Sequence, residues 1–292
     1  MLVRVLRALL PYGLVAAYRR MVNRRLMVRD ELFREAFHRR RAESIAAIST
    51  LATASSSLEL NYDSILAFLG ELGIPAAHLA EGSVPRASLE TIAACFREHL
   101  GGSRPLIGLH IGNFVGVSLA YLTNAAKQIH PDSIVVSVDP NIPHRGVHNP
   151  QSYVVQLLSR FQLQANSIIL AGYSQKKSVS NDGVVFEGYD PVAHFSKELG
   201  CENVLANLSV ITGSKFDFVF LDGNHEGAYL RREIDACTKL LRPGALLVLD
   251  DVDEHWSEIR DVFRSLNKAN FTEILADRRV GIARYSLPAD TR

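Results

Sequence analysis

Five apolar runs constrain what this chain can fold into: "PLIGLHIG", "SIVVSVD", "SIILAGY", "FDFVFLD" and "GALLVLDD", separated by stretches with helical periodicity. Runs that are apolar throughout suit strands buried on both faces, and strands alternating with helices build a parallel sheet covered on both sides. Between the first two runs, Val115, Leu119, Leu122, Ala126 and Ile129 follow the spacing of an amphipathic helix. Leu230, Ile234, Cys237 and Leu241 do the same between the last two, and Arg242-Pro243-Gly244 is predicted to stop that helix. Another helix is expected over about 253–268, and "FTEILADRRVGIARYSL" reads as two strands joined at Asp277-Arg278-Arg279. The expected fold is α/β, a mostly parallel sheet ending in an antiparallel hairpin.

At 292 residues and 47% hydrophobic, the chain is long enough for a full core plus an appendage. Three regions are expected: a basic N-terminal segment (1–29), a helical region (30–103) and the main α/β domain (104–292). In the helical region, Ile65, Leu66, Leu69 and Leu72 lie along one side before Gly73, and "STLATASSS" (49–57) reads as a linker. The net charge of +1 conceals an asymmetry, since residues 1–41 hold eleven arginines against three acids. The N-terminal apolar patch is short and broken by Pro11 and Gly13, which argues against a signal peptide and against a membrane span. It is read either as a peripheral contact with an anionic membrane face or acidic partner, or as a solvated helix or oligomer contact. A homo-oligomer is expected. Cys95, Cys201 and Cys237 are widely spaced and form no C-x-x-C, so a cytoplasmic location is expected. The net acidic main domain would be repelled by phosphates, so no nucleic-acid partner is expected.

Open parallel sheets bind ligands beyond the C-terminal ends of their strands, so the residues that end each run are the candidates. The first run leads into "HIGNFVGVS" (110–118), where Gly112 and Gly116 let backbone approach a ligand as a helix begins. A pyrophosphate-binding loop wants G-x-G-x-x-G, and this loop has only G-x-x-x-G. Asp139 ends the second run, placed to accept hydrogen bonds from two ribose hydroxyls of a nicotinamide nucleotide or of S-adenosylmethionine, or else to serve as a loop acid or helix cap ahead of Pro140.

From Arg104 to about Leu287 the chain resembles the class I S-adenosylmethionine-dependent methyltransferases, above all in "FDFVFLDGNH" followed by "KLLRPGALLVLDD". Within that class it is most similar to metal-dependent catechol-type O-methyltransferases and to sugar O-methyltransferases. The resemblance implies a Rossmann-like, seven-stranded sheet. It implies that Gly112, Asn113, Phe114, Gly116 and Ser118 hold the methionine part of S-adenosylmethionine and that Asp139 binds its ribose. It also implies that "GYSQ" (172–175), with Tyr173 and Ser174, lines the adenine. His110 stands where the class usually has an acid, and is read either as a buried satisfied histidine or as a donor to the cofactor carboxylate.

Asp222 ends the fourth run and Asp250-Asp251 ends the fifth. Adjacent parallel strands lie about 4.8 Å apart, so the three carboxylates can converge on Mg²⁺ or Mn²⁺, both hard cations that prefer oxygen. Otherwise Asp222 caps a helix or touches the cofactor, and the other two are loop acids. His225, three residues after Asp222, is the candidate general base, with a surface histidine starting a helix as its rival reading. Asp253 and Glu254 are further candidate ligands, and His255 and Trp256 candidate pocket residues. The expected activity is methyl transfer to a hydroxyl of a sugar or catechol-like small molecule bearing a vicinal diol. A nicotinamide-dependent oxidoreductase and a degenerate cofactor-binding scaffold on a membrane-associated assembly are the competing classes.

Overall fold

The computed structural model describes residues 59–144, 146–175, 203–208, 215–252, 256–276 and 279–287. The basic segment, the 49–57 linker and the stretch 176–202 lie outside these residues. Three helices open the described chain: α1 (Tyr62–Glu71), α2 (Ala76–Gly82) and α3 (Arg86–Leu100). Asn61 starts α1 through a reciprocal cap, its Oδ1 accepting from the Ser64 N–H while Ser64 Oγ accepts from the Asn61 N–H, each at 2.9 Å. Ile65 and Leu69 are the buried positions of that helix.

The sheet follows: β1 (Ile107–Ile111), α4 (Val117–Ile129), β2 (Ile134–Asp139), α5 (Pro150–Arg160), β3 (Ser167–Ala171), β4 (Phe216–Leu221), α6 (Gly227–Thr238), β5 (Leu241–Leu249), α7 (Ser257–Arg264), β6 (Phe271–Ala276) and β7 (Gly281–Tyr285). The strand order is β3-β2-β1-β4-β5-β7-β6, with β1 to β5 parallel and β7 antiparallel to both β5 and β6. The seven-stranded sheet with an antiparallel terminal hairpin is the one expected. The order reverses beside β1, which opens a crevice at the carboxyl ends of β1, β2 and β4.

One expectation fails locally. Arg242-Pro243-Gly244 does not stop a helix; α6 already ends at Thr238, and the tripeptide lies inside β5. The pairing of β4 with β5 jumps from Phe216↔Leu241 to Phe218↔Leu246, so Pro243 and Gly244 (φ +84°) occupy a bulge where no ladder N–H is required.

Alternation along the strands divides the core. Phe218, Phe220, Val248 and Ile282 face α1, α3, α4 and α5, whereas Leu109, Val219, Leu247 and Ala283 face α6 and α7. Gly108 is needed on the first face, because a Cβ there would lie 2.0 Å from the Phe218 ring. The space lets Phe218 meet Phe96 of α3 at 4.2 Å between ring centroids. Truncating such a fully buried ring costs about 3–5 kcal/mol. No helix among the described residues is long and apolar enough to cross a membrane.

Candidate active site

Every residue that ends a central strand reaches the same rim. After β1 the chain passes through three left-handed residues, Gly112 (φ +85°), Phe114 (φ +46°) and Gly116 (φ +92°). Gly112 admits no side chain, since a Cβ would lie 1.8 Å from the Asp222 carbonyl oxygen, so the loop is pressed against the end of β4. The Gly112 N–H bonds the Val138 carbonyl at 3.0 Å and the Gly116 N–H closes onto Asn113 O at 2.7 Å before α4 begins. Asp139, at the end of β2, holds the loop from the other side: Oδ2 accepts from Asn113 N–H at 2.7 Å and Oδ1 from Asn141 N–H at 2.6 Å. Burial raises the Asp139 carboxyl above its ordinary value, and these backbone donors oppose the rise.

His110 is fully buried beneath the same loop, its Nε2 3.0 Å from Ser118 Oγ at the start of α4 and its ring 4.8 Å from that of Phe220. Burial depresses its pKa to about 3, so the imidazole is neutral and bonds the helix start. The histidine is buried as the first reading has it, but it is not satisfied, since Nδ1 is a buried nitrogen lacking a hydrogen-bond partner among the described residues. Asn113 Nδ2 donates to Ser137 Oγ, which turns that side chain inward as well.

The turn after β3 begins with Gly172, whose N–H bonds the Asp139 carbonyl at 2.9 Å. Tyr173 and Ser174 are both buried. Ser174 Oγ is engaged by Glu233 Oε1 and by Tyr229 Oη (3.0 Å), both on α6, so its hydroxyl faces the interior and only its backbone is left to border a ligand. Glu233, 1% exposed, has its carboxyl pushed up to about 7 by burial.

At the ends of β4 and β5, Asp222, His225 and Asp251 converge, with one ligand atom from each within 4.8 Å of the others. His225 Nε2 lies 2.7 Å from Asp251 Oδ2, and the His225 ring stacks on Trp256 at 4.2 Å and 20°. Burial, then the charges of Asp250 and Asp251, hold the Asp222 carboxyl well above the usual carboxylate range. Asp250 does not join the group. Arg279 grips it with Nε at 2.9 Å and Nη2 at 2.7 Å, a bidentate pair in which both carboxylate oxygens are occupied.

Residues 109–252 match the model of a family described as a methyltransferase domain. The fold is that of a class I methyltransferase. A cofactor-bound structure of Rv0187 from MTB is 16% identical, with 80% of this chain and 94% of that one covered at a TM-score of 0.50. An S-adenosylhomocysteine-bound methyltransferase of Podospora anserina, PaMTH1, is 12% identical, covering 85% and 96% at 0.50. A Corynebacterium glutamicum protein is 14% identical, covering 85% and 99%, also at 0.50. No curated protein matches the chain by sequence.

Within this methyltransferase fold the structure therefore gathers Gly112, Asn113, Phe114, Gly116 and Asp139 around the ends of β1 and β2, with Gly112 against Asp222, and brings Asp222, His225 and Asp251 together at the ends of β4 and β5. Trp256, 37% exposed, is a rim residue and not core. Asp253, Glu254 and His255 lie outside the described residues. The sequence reading missed three residues. Glu233 and Tyr229 share a helix line with Cys237, so an acid in the middle of a buried stripe was the available signal. Arg279 was read only as a turn residue, and its partner lies 29 positions away.

Proposed function

We propose that the chain is an S-adenosylmethionine-dependent O-methyltransferase that acts on a hydroxyl of a small polyhydroxylated acceptor, with His225 as the base. The observation that carries this reading is the His225–Asp251 pair beside Asp222, whose backbone abuts the glycine loop that Asp139 holds. Gly112, Asn113, Phe114 and Gly116 present close backbone to the methionine part, His110 and Ser118 fix the start of α4 beneath it, and Asp139 accepts from the ribose hydroxyls. The 172–175 turn, with Tyr173 and Ser174, borders the adenine by its backbone, and Asp222 closes the site beside the sulfur.

Displacement at the methyl of a sulfonium needs an aligned acceptor oxygen and somewhere for its proton to go. With Nε2–H donated to Asp251, the His225 Nδ1 lone pair accepts the hydroxyl proton, and Asp251 stabilises the imidazolium that forms. The pair is also oriented by Trp256, which fixes the ring plane.

The donors fit a divalent cation. Asp222, His225 and Asp251 offer one ligand atom each within 4.8 Å of one another, and Asp251 Oδ1 is a buried oxygen that has the ion-pair contact of Arg279 Nη1 at 3.0 Å but no hydrogen bond among the described residues. Asp222 and Asp251 would hold Mg²⁺ or Mn²⁺ with His225 beside them, and Asp250 would not be a ligand. When bound, the cation would polarise the acceptor oxygen and lower the pKa of its hydroxyl, which favours adjacent hydroxyls able to chelate.

The test is transfer of labelled methyl from S-adenosylmethionine to a panel of nucleotide sugars, glycosides and catechols, with and without chelator. Label on an acceptor oxygen supports the reading. Saturable S-adenosylhomocysteine binding with no transfer to any vicinal diol would leave only the cofactor site, and tight NADH binding in its place would reassign the fold's ligand.

A further inference from the structure

The carboxyl ends of β4 and β5 carry three carboxylates, and one guanidinium reaches them from the turn between β6 and β7. Arg279 holds Asp250 by two parallel bonds and brings its third nitrogen, Nη1, to 3.0 Å from Asp251 Oδ1. The turn is tied to the site by its backbone too, the Val252 N–H donating to the Arg279 carbonyl at 3.0 Å. Asp250 and Asp251 are 2% and 6% exposed, so this guanidinium is a built-in charge and not a solvated surface partner.

We propose that Arg279 is an internal counter-cation that sets how tightly the Asp222–Asp251 site takes a divalent ion, by keeping Asp250 out of the donor set and by sharing Asp251. The inference rests on the cation site proposed above. Three carboxylates at two neighbouring strand ends are enough to hold an octahedral oxygen-seeking ion with water completing the shell. Here both oxygens of the middle one are occupied, and a dication placed against Asp251 meets a like charge already on that carboxylate. Charges that close in a partly buried site interact far more strongly than in water, so the guanidinium weakens cation binding. It also partly neutralises the cluster when no ion is present, which removes the need for a resident metal to keep the strand ends together.

The test is Mn²⁺ binding by the full chain, followed by electron paramagnetic resonance and calorimetry, with S-adenosylhomocysteine binding measured on the same samples. Arg279→Met removes the competing charge and frees Asp250; its Kd for Mn²⁺ is expected to fall at least tenfold below that of the wild type. In Arg279→Met/Asp250→Asn most of that gain is lost, because the freed carboxylate is gone. Arg279→Lys keeps the charge but cannot span both carboxylates, and is expected between the wild type and the Met variant. If Arg279→Met loses its circular dichroism signature, the Lys variant carries the test and must still bind more tightly than the wild type. Unchanged affinity in both single variants overturns the proposal, and a double variant as tight as Arg279→Met overturns the role given to Asp250. Absence of Mn²⁺ binding from all of these proteins while they still bind S-adenosylhomocysteine overturns the cation site and leaves the methyl-transfer reading standing.

Discussion

His225 and Asp251 meet across the carboxyl ends of β4 and β5, Nε2 to Oδ2 at 2.7 Å, and Asp251 reaches this position with a left-handed backbone (φ +59°). A non-glycine residue held in that region is strained, and the strain aims the carboxylate at the imidazole. Asp251→Asn keeps the size and removes the charge that stabilises a protonated His225. A fall in kcat of roughly 10- to 10²-fold is expected, smaller than that for loss of the base itself. S-adenosylhomocysteine affinity, measured by calorimetry, should be unchanged.

Trp256 is the one tryptophan of the chain and stacks on His225, so its emission reports on the site directly. Binding of S-adenosylhomocysteine or acceptor should change emission excited at the indole band, and His225→Leu should change it in the ligand-free protein. A stacked aromatic pair is worth about 0.5–1.5 kcal/mol, so Trp256→Ala should lower kcat by roughly 2- to 10-fold while Trp256→Phe preserves it. An emission spectrum indifferent to His225→Leu would show that the stack does not exist in solution.

Glu233 gives folding stability a pH dependence of known sign. Its ordinary value is 4.5 and burial raises it to about 7 in the folded protein. Between those values the folded form carries a proton that the unfolded form lacks, so its contribution is fully present below 4.5 and is lost as pH rises through about 7. At about 1.4 kcal/mol per unit the loss is of order 3 kcal/mol. Glu233→Gln removes it. Denaturant midpoints at pH 5 and pH 8 should therefore show the variant gaining on the wild type as pH rises, and a constant difference would contradict the buried acid.

Much of the fold was legible because burial on both sheet faces forces uninterrupted apolar runs, and five of them announced β1 to β5. Arg242-Pro243-Gly244 misled because proline and glycine end helices and also mark strand bulges, and the choice depends on the neighbouring strand. The strand-end residues Asp139, Asp222 and Asp251 were legible for a topological reason: parallel strands deliver their last residues to one edge. The pairing of Asp250 with Arg279 was not legible. Side-chain pairing across 29 positions leaves no periodic trace in the sequence. Ser174 was placed in the right turn, but the direction of its hydroxyl depends on Glu233 of α6, 59 positions away.

The role proposed for His225 is to take the proton from an acceptor hydroxyl during methyl transfer. It is tested most directly by the rate of label transfer from S-adenosylmethionine to an accepted vicinal diol by His225→Ala, with both substrates saturating. A fall of roughly 10² to 10⁴ relative to the wild type is expected. A variant that transfers methyl at the wild-type rate would contradict it.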